Sequence, residues 1–176
     1  MYSYKGKYIR EREGRMVILG IDPGVATVGY GVVDCRGDKF RCLEYGCITT
    51  AAHQLLEHRL SQIYADMKEL IQRHRPDCMS VEELFFNNNQ KTAVDVAQAR
   101  GVILLAADQC NLPIYEYTPL QVKSAIVGYG RAEKQQVMYM VRQYLHLKET
   151  PRPDDAADAI AIAICHANSA MHRMLQ

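Results

Sequence analysis

No stretch of this 176-residue chain approaches the roughly 18 to 20 uninterrupted apolar residues that a membrane span needs, although 48% of its residues are hydrophobic. Its first fifteen residues, MYSYKGKYIREREGR, hold no apolar run of the signal-peptide kind. The six cysteines, at 35, 42, 47, 78, 110 and 165, form no CxxC pair and no Cys/His spacing typical of zinc. They read instead as reduced thiols, several of them in the core, of a cytoplasmic protein. An excess of charge is missing too. Five of the 21 basic and two of the 20 acidic residues fall in the first fifteen, so the remainder carries a net charge of minus two. Binding to nucleic acid through overall charge is excluded, and any such binding must rest on local asymmetry. There is no internal repeat, low-complexity tract or linker.

What remains is a globular chain of one-domain size, long enough to bury a sizeable core. Residues 1–15 are expected to be a basic lead, either flexible or upstream of a start at Met16. A single domain is expected over 16–170 and a short tail over 171–176. Residues 16–21, 27–34 and 39–50 read as three strands of an antiparallel meander, joined by Asp-Pro-Gly and Arg-Gly-Asp turns. Apolar residues at 55, 56, 60, 63, 67, 70 and 71 follow helical spacing until Pro76 stops them. A strand over 78–86, an Ala-rich helix over about 91–109 and a strand over 112–118 follow. Thr118-Pro119 then caps a short helix, and GYGR separates it from a further helix at 132–147. The last helix lies within 151–174. This order predicts an α/β fold: a five-stranded mixed sheet, three antiparallel strands then two parallel, with helices on both faces. Sites in such sheets form beside the carboxyl ends of strands.

Acids sit where such a site would form. Asp22 ends the first strand in ILGIDPGVATVGYGVVD, and burying it there would be costly unless its charge were paired or metal-bound. Asp-Pro-Gly also makes an ordinary turn, with Asp favoured at its first position. In VEELF, strand alternation sends Glu82 and Glu83 to opposite faces, so only one can join Asp22. A solvated pair at a strand end is the plainer alternative. In DDAADAIAIAI, Asp155 and Asp158 share one face of a helix otherwise made of Ala and Ile. Capping would account for Asp154 or Asp155 but not for Asp158, one turn in. Four such carboxylates are hard oxygen ligands of the kind Mg2+ or Mn2+ prefers. Two ions held together could activate a water and stabilise a leaving oxygen in phosphodiester cleavage. His166 lies eight residues beyond Asp158, about 12 Å along a helix, and reads as structural or surface.

GIDPG with GYGVVD, VEELFF, AQARGV, YTPLQVKSAIVGYGRAEKQQV and DDAADAIAIA, in this order from about Met16 to His166, resemble the RuvC Holliday-junction resolvases of the RNase H-like superfamily. The resemblance implies that Asp22, Glu82, Asp155 and Asp158 are catalytic and hold two Mg2+ per site, with Mn2+ able to substitute. It implies a homodimer that cuts four-way junction DNA by paired, symmetric nicks in homologous recombination and repair, working with the RuvA and RuvB branch-migration proteins. Residues 118–152 carry six basic residues, Lys123, Arg131, Lys134, Arg142, Lys148 and Arg152, against two acids, which supplies local asymmetry for phosphate contacts. A solvated helical face is the plain alternative. The family places lysines matching Lys123 and Lys134 near the active site, and Arg131 joins them as a DNA-binding candidate. Phe85 reads as core on residue type alone, whereas the family places an aromatic there against unpaired bases. The Ala-rich helix could form the dimer interface or be an ordinary core helix.

Three rivals remain. An actin-like or sugar-kinase ATPase shares the Asp-x-Gly strand turn but needs a second phosphate loop, which this sequence lacks. Another RNase H-like nuclease, for instance one that processes ribosomal RNA, would share the acids but not the segment from Lys123 to Lys134. A junction-binding protein without catalysis would not need all four acids.

Overall fold

Alternation along the first strand decides the layout of the molecule. In the computed structural model, which describes residues 14–84 and 90–174, β1 (Arg15–Asp22) sends Val17, Leu19 and Ile21 to one side and Ile18 to the other. β1 pairs antiparallel with β2 (Thr27–Arg36), which pairs antiparallel with β3 (Lys39–Thr49). A bulge between Val32 and Val33 shifts the second ladder. Gly37, at φ 58°, takes the left-handed position that closes the β2–β3 turn.

Helix α1 (Leu56–His74) buries Ile63, Met67, Leu70 and Ile71, and Arg75 ends it in the left-handed conformation just before Pro76. The chain then enters β4 (Cys78–Glu82), parallel to β1. After α2 (Gln90–Gln109) comes β5 (Ile114–Tyr117), parallel to β4. The sheet order is β3-β2-β1-β4-β5, so the expected mixed sheet is present. Helices α3 (Pro119–Val127), α4 (Lys134–Tyr144) and α5 (Asp154–Met174) follow. A Thr118–Gln121 capping box starts α3 and Gly128, at φ 94°, ends it.

Two apolar cores sandwich the sheet. One joins α1 and α2 to Leu19, Ile21, Val32 and Val81, and the other joins α3, α4 and α5 to Ile18, Val33 and Cys78. Among the described residues β4 ends at Glu82, with Glu83 and Leu84 outside it, whereas sequence extended the strand to 86; its ladders end at Ile21–Val81 against β1 and Glu82–Tyr117 against β5. All six cysteines are free, with Cys35, Cys78 and Cys165 buried. Among the described residues no helix is long and apolar enough to cross a membrane.

Candidate active site

The same alternation carries acids to one end of one face. Asp22 follows Ile18 and Gly20 on the α5 side of β1, and Glu82 follows Cys78 and Ser80 on the α5 side of β4. Glu83 falls outside this register, and its backbone N–H donates to the Tyr117 carbonyl at 2.9 Å. α5 can come down onto the sheet because glycines leave it room. A Cβ at Gly20 would lie 2.0 Å from the Ala159 carbonyl oxygen, and one at Gly29 would lie 2.1 Å from that of Asp155. Gly29 is the register partner of Asp22, so this close approach sets the first turn of α5 beside the end of β1. Asp22, Glu82 and Asp158 then line one cleft of about 210 Å3, together with Lys123, Lys134 and an apolar floor that includes Val122, Val137 and Ile162.

These carboxylates are held toward their neutral forms. Burial, followed by repulsion from Glu82, Asp158 and Asp155, pushes the Asp22 carboxyl up to about 7, with Lys134 opposing. Glu82 is raised by burial and by Asp158, and Lys123 pulls it back. Asp158 is raised by burial, although a hydrogen bond from Lys134 counters this. The Lys134 ammonium lies 3.0 Å from Asp158 Oδ2 and 3.6 Å from Asp154 Oδ2. Among the described residues no three acids, histidines or cysteines form a ready-made cation cage. The donor set nevertheless fits a hard divalent cation: it offers only carboxylate oxygens, and a cation would relieve the repulsion that raises them.

Of the residues singled out from sequence, Asp22, Glu82, Asp158, Lys123 and Lys134 come together in the cleft. Asp155 is not among the residues lining it, yet its charge acts on Asp22 and Asp158, and on Cys47 as well. Arg131 is exposed and does not line the cleft. Phe85 lies outside the described residues. His166 is structural: it is fully buried, its Nδ1 is 2.7 Å from the Tyr117 hydroxyl, and its ring packs 4.1 Å from that of Tyr115. Sequence reading passed over Arg100, whose Nε donates to the Glu82 backbone carbonyl at 3.2 Å. A lone arginine in the middle of an Ala-rich helix was the available signal.

A five-stranded mixed sheet with acids at the carboxyl ends of β1 and β4 and on the helix laid across them defines an RNase H-like nuclease. A family model described as crossover junction endodeoxyribonuclease RuvC matches residues 18–166. Curated relatives of that name are 58% identical over 158 residues in Moorella thermoacetica, covering 90% of this chain and 95% of the relative, and 56% identical over 154 residues in Desulfitobacterium hafniense, covering 88% and 93%. A solved structure of Thermus thermophilus RuvC in complex with a Holliday junction substrate superposes with a TM-score of 0.86 at 42% identity, covering 90% of this chain and 96% of that one. The yeast mitochondrial resolvase Ydc2 shares the fold, with a TM-score of 0.62 at 15% identity. The chain belongs to the RuvC family of crossover junction endodeoxyribonucleases, divalent-metal-dependent hydrolases that resolve Holliday junctions in DNA recombination and repair.

Proposed function

We propose that this chain, as a homodimer with two active sites, resolves four-way DNA junctions by paired, symmetric nicks, and that Asp22, Glu82, Asp155 and Asp158 together hold two Mg2+ ions per site, with Mn2+ able to substitute. The observation that carries the reading is the convergence of Asp22, Glu82 and Asp158 with Lys123 and Lys134 in one cleft, in a chain whose relative in Thermus thermophilus was solved with a Holliday junction. When bound, the metal supplies an activated water and charge stabilisation at the leaving oxygen. The protein supplies the rest. Asp22 and Glu82 present their carboxylates from strand ends, and Asp155 and Asp158 present theirs from successive turns of α5. The apolar floor of Val122, Val137 and Ile162 limits water around them. Lys123 and Lys134 contact the phosphates that flank the cut, and Arg131 extends the basic surface beyond the cleft. Phe85 stacks on an unpaired base near the crossover.

Dimerisation through α2 is supported by its open face, where Val94 and Leu105 are about half exposed and Gly101 is bare. Residues 16–170 act as one nuclease domain in the cytoplasm, served by the RuvA and RuvB branch-migration proteins. The test is incubation of purified protein with Mg2+ and a labelled synthetic four-way junction beside linear duplex, with Asp158→Asn as control. Symmetric nicks in the junction alone, lost in the variant while binding persists, support the proposal. Cutting of linear duplex, or of RNA, would overturn it.

A further inference from the structure

Arg100 sits in the middle of α2, and its side chain is only 15% exposed. The helix turns Val94, Gln98, Gly101 and Leu105 outward, whereas Arg100 reaches back to the sheet. Its Nε donates to the Glu82 backbone carbonyl at 3.2 Å, and a terminal guanidinium nitrogen lies 2.9 Å from Glu116 Oε2. Glu82 is the last residue of β4, and Glu116 lies on β5 opposite Val81. The planar guanidinium fork therefore grips two adjacent strands at the point where the ladder ends. The ladders to β1 and β5 end at Val81 and Glu82. The peptide that follows is held on the β5 side by the Glu83 N–H, which donates to the Tyr117 carbonyl at 2.9 Å, and Arg100 holds its carbonyl from the α2 side.

We infer that Arg100 is a positioning residue that fixes the end of β4, and through it the Glu82 carboxylate, at the cleft. The inference rests on Glu82 being a metal-holding acid of the proposed site. Arg100 touches neither the cleft nor DNA in this role, and it acts only through the backbone of its neighbour. Glu116, 45% exposed, orients the guanidinium from its outer side. A one-ångström displacement of a positioned group can cost about a hundredfold in rate, so a loosened Glu82 should be felt in chemistry and metal binding but not in junction affinity.

The experiment compares wild type with Glu82→Gln, Arg100→Gln, Arg100→Lys and Glu116→Gln. Single-turnover junction cutting is measured in Mg2+, junction affinity in chelator, Mn2+ affinity by electron paramagnetic resonance, and melting temperature. Arg100→Gln is expected to cut about ten- to a hundredfold more slowly and to bind Mn2+ several-fold more weakly, with junction affinity unchanged. Arg100→Lys, which keeps one of the two contacts, should recover part of both losses. A general structural role would instead lower melting temperature and junction affinity together, and that pattern overturns the inference. So do wild-type cutting and Mn2+ affinity in Arg100→Gln when Glu82→Gln is inactive. If Arg100→Gln does not fold, Glu116→Gln decides: a smaller loss of the same kind supports the inference and wild-type behaviour overturns it. Full activity in Glu82→Gln would instead count against the proposed site itself.

Discussion

Replacing Asp22 by Asn should make the protein inactive and, above about pH 5, more stable. The Asp22 carboxyl ordinarily titrates at 3.8 and is pushed up to about 7 in the fold. Between those values the folded chain holds a proton that the unfolded chain has lost. Stability linked to this group is therefore full below pH 4 and falls as pH rises towards 7, beyond which it is flat. At about 1.4 kcal/mol per unit, the cost of ionising Asp22 in the fold has an upper bound of about 4 kcal/mol at pH 8. Part of that repulsion is shared with Glu82 and Asp158 and would relax, and the amide must itself be desolvated. A net gain of about 1 to 2 kcal/mol is the reasonable expectation, or about 2 to 8 °C in melting temperature for a chain of this size. Thermal unfolding in chelator at pH 5 and pH 8 measures it. The variant should melt above wild type at pH 8 and close to it at pH 5. A lower melting temperature at pH 8, or the same gain at both pH values, would show that Asp22 is not strained by burial and its neighbours.

Two further perturbations probe the scaffold and the basic surface. Gly29→Ala would set a methyl 2.1 Å from the Asp155 carbonyl oxygen, an atom fixed in the helix backbone. α5 must lift, and a loss of about 1 to 3 kcal/mol with at least tenfold slower junction cutting is expected; an unchanged melting curve and rate would show that α5 does not depend on this close approach. Lys123→Ala removes a cation that lines the cleft. The slope of log affinity for the junction against log salt should become shallower by about 0.9 in fluorescence anisotropy between low and physiological salt, and an unaltered slope would remove Lys123 from the phosphate contacts.

The sheet was legible because its strands carry period-two patterns bounded by turn residues, and the helices because Pro76, the Thr118-Pro119 pair and Gly128 mark their limits. The choice of Glu82 over Glu83 was only half legible. Alternation says that the two diverge, but which of them meets Asp22 depends on the parallel register that sets Ile21 against Val81, and sequence does not give register. The glycines were harder still. Gly20 and Gly29 look like weak points in strands, yet they are the floor on which α5 rests. Asp155 and Asp158 share a helical face, but at the helix end only Asp158 lines the cleft, because α5 lies so close that the Asp155 backbone abuts Gly29. Arg100 stood out as an arginine in an Ala-rich helix, but its role was not legible: one of its two partners is a main-chain carbonyl, which leaves no trace in residue type, and the other, Glu116, meets it only through the tertiary fold.

Lys134 carries two assignments that compete, and the competition is measurable. Its ammonium pairs with Asp158 and Asp154, while the proposed function asks it to meet a phosphate. One ammonium at 3.0 Å from a carboxylate has little charge left to offer a second anion. A divalent cation held by Asp22, Glu82 and Asp158 would compensate the same acids and repel the lysine, freeing it for DNA. On the proposed reading Lys134 would be the internal counter-ion of the cleft without metal, as its contacts with Asp158 and Asp154 show, and would turn to a phosphate once metal binds. Lys134→Ala should then raise Mn2+ affinity, because a competing cation is gone. It should weaken junction binding in chelator only modestly and more strongly when a divalent cation is present. Mn2+ titration followed by electron paramagnetic resonance reads the first effect, and anisotropy with and without a non-cleaving divalent ion reads the second. If Mn2+ affinity falls instead, Lys134 helps to assemble the acids rather than compete for them, and its pairing with Asp158 belongs to the working site.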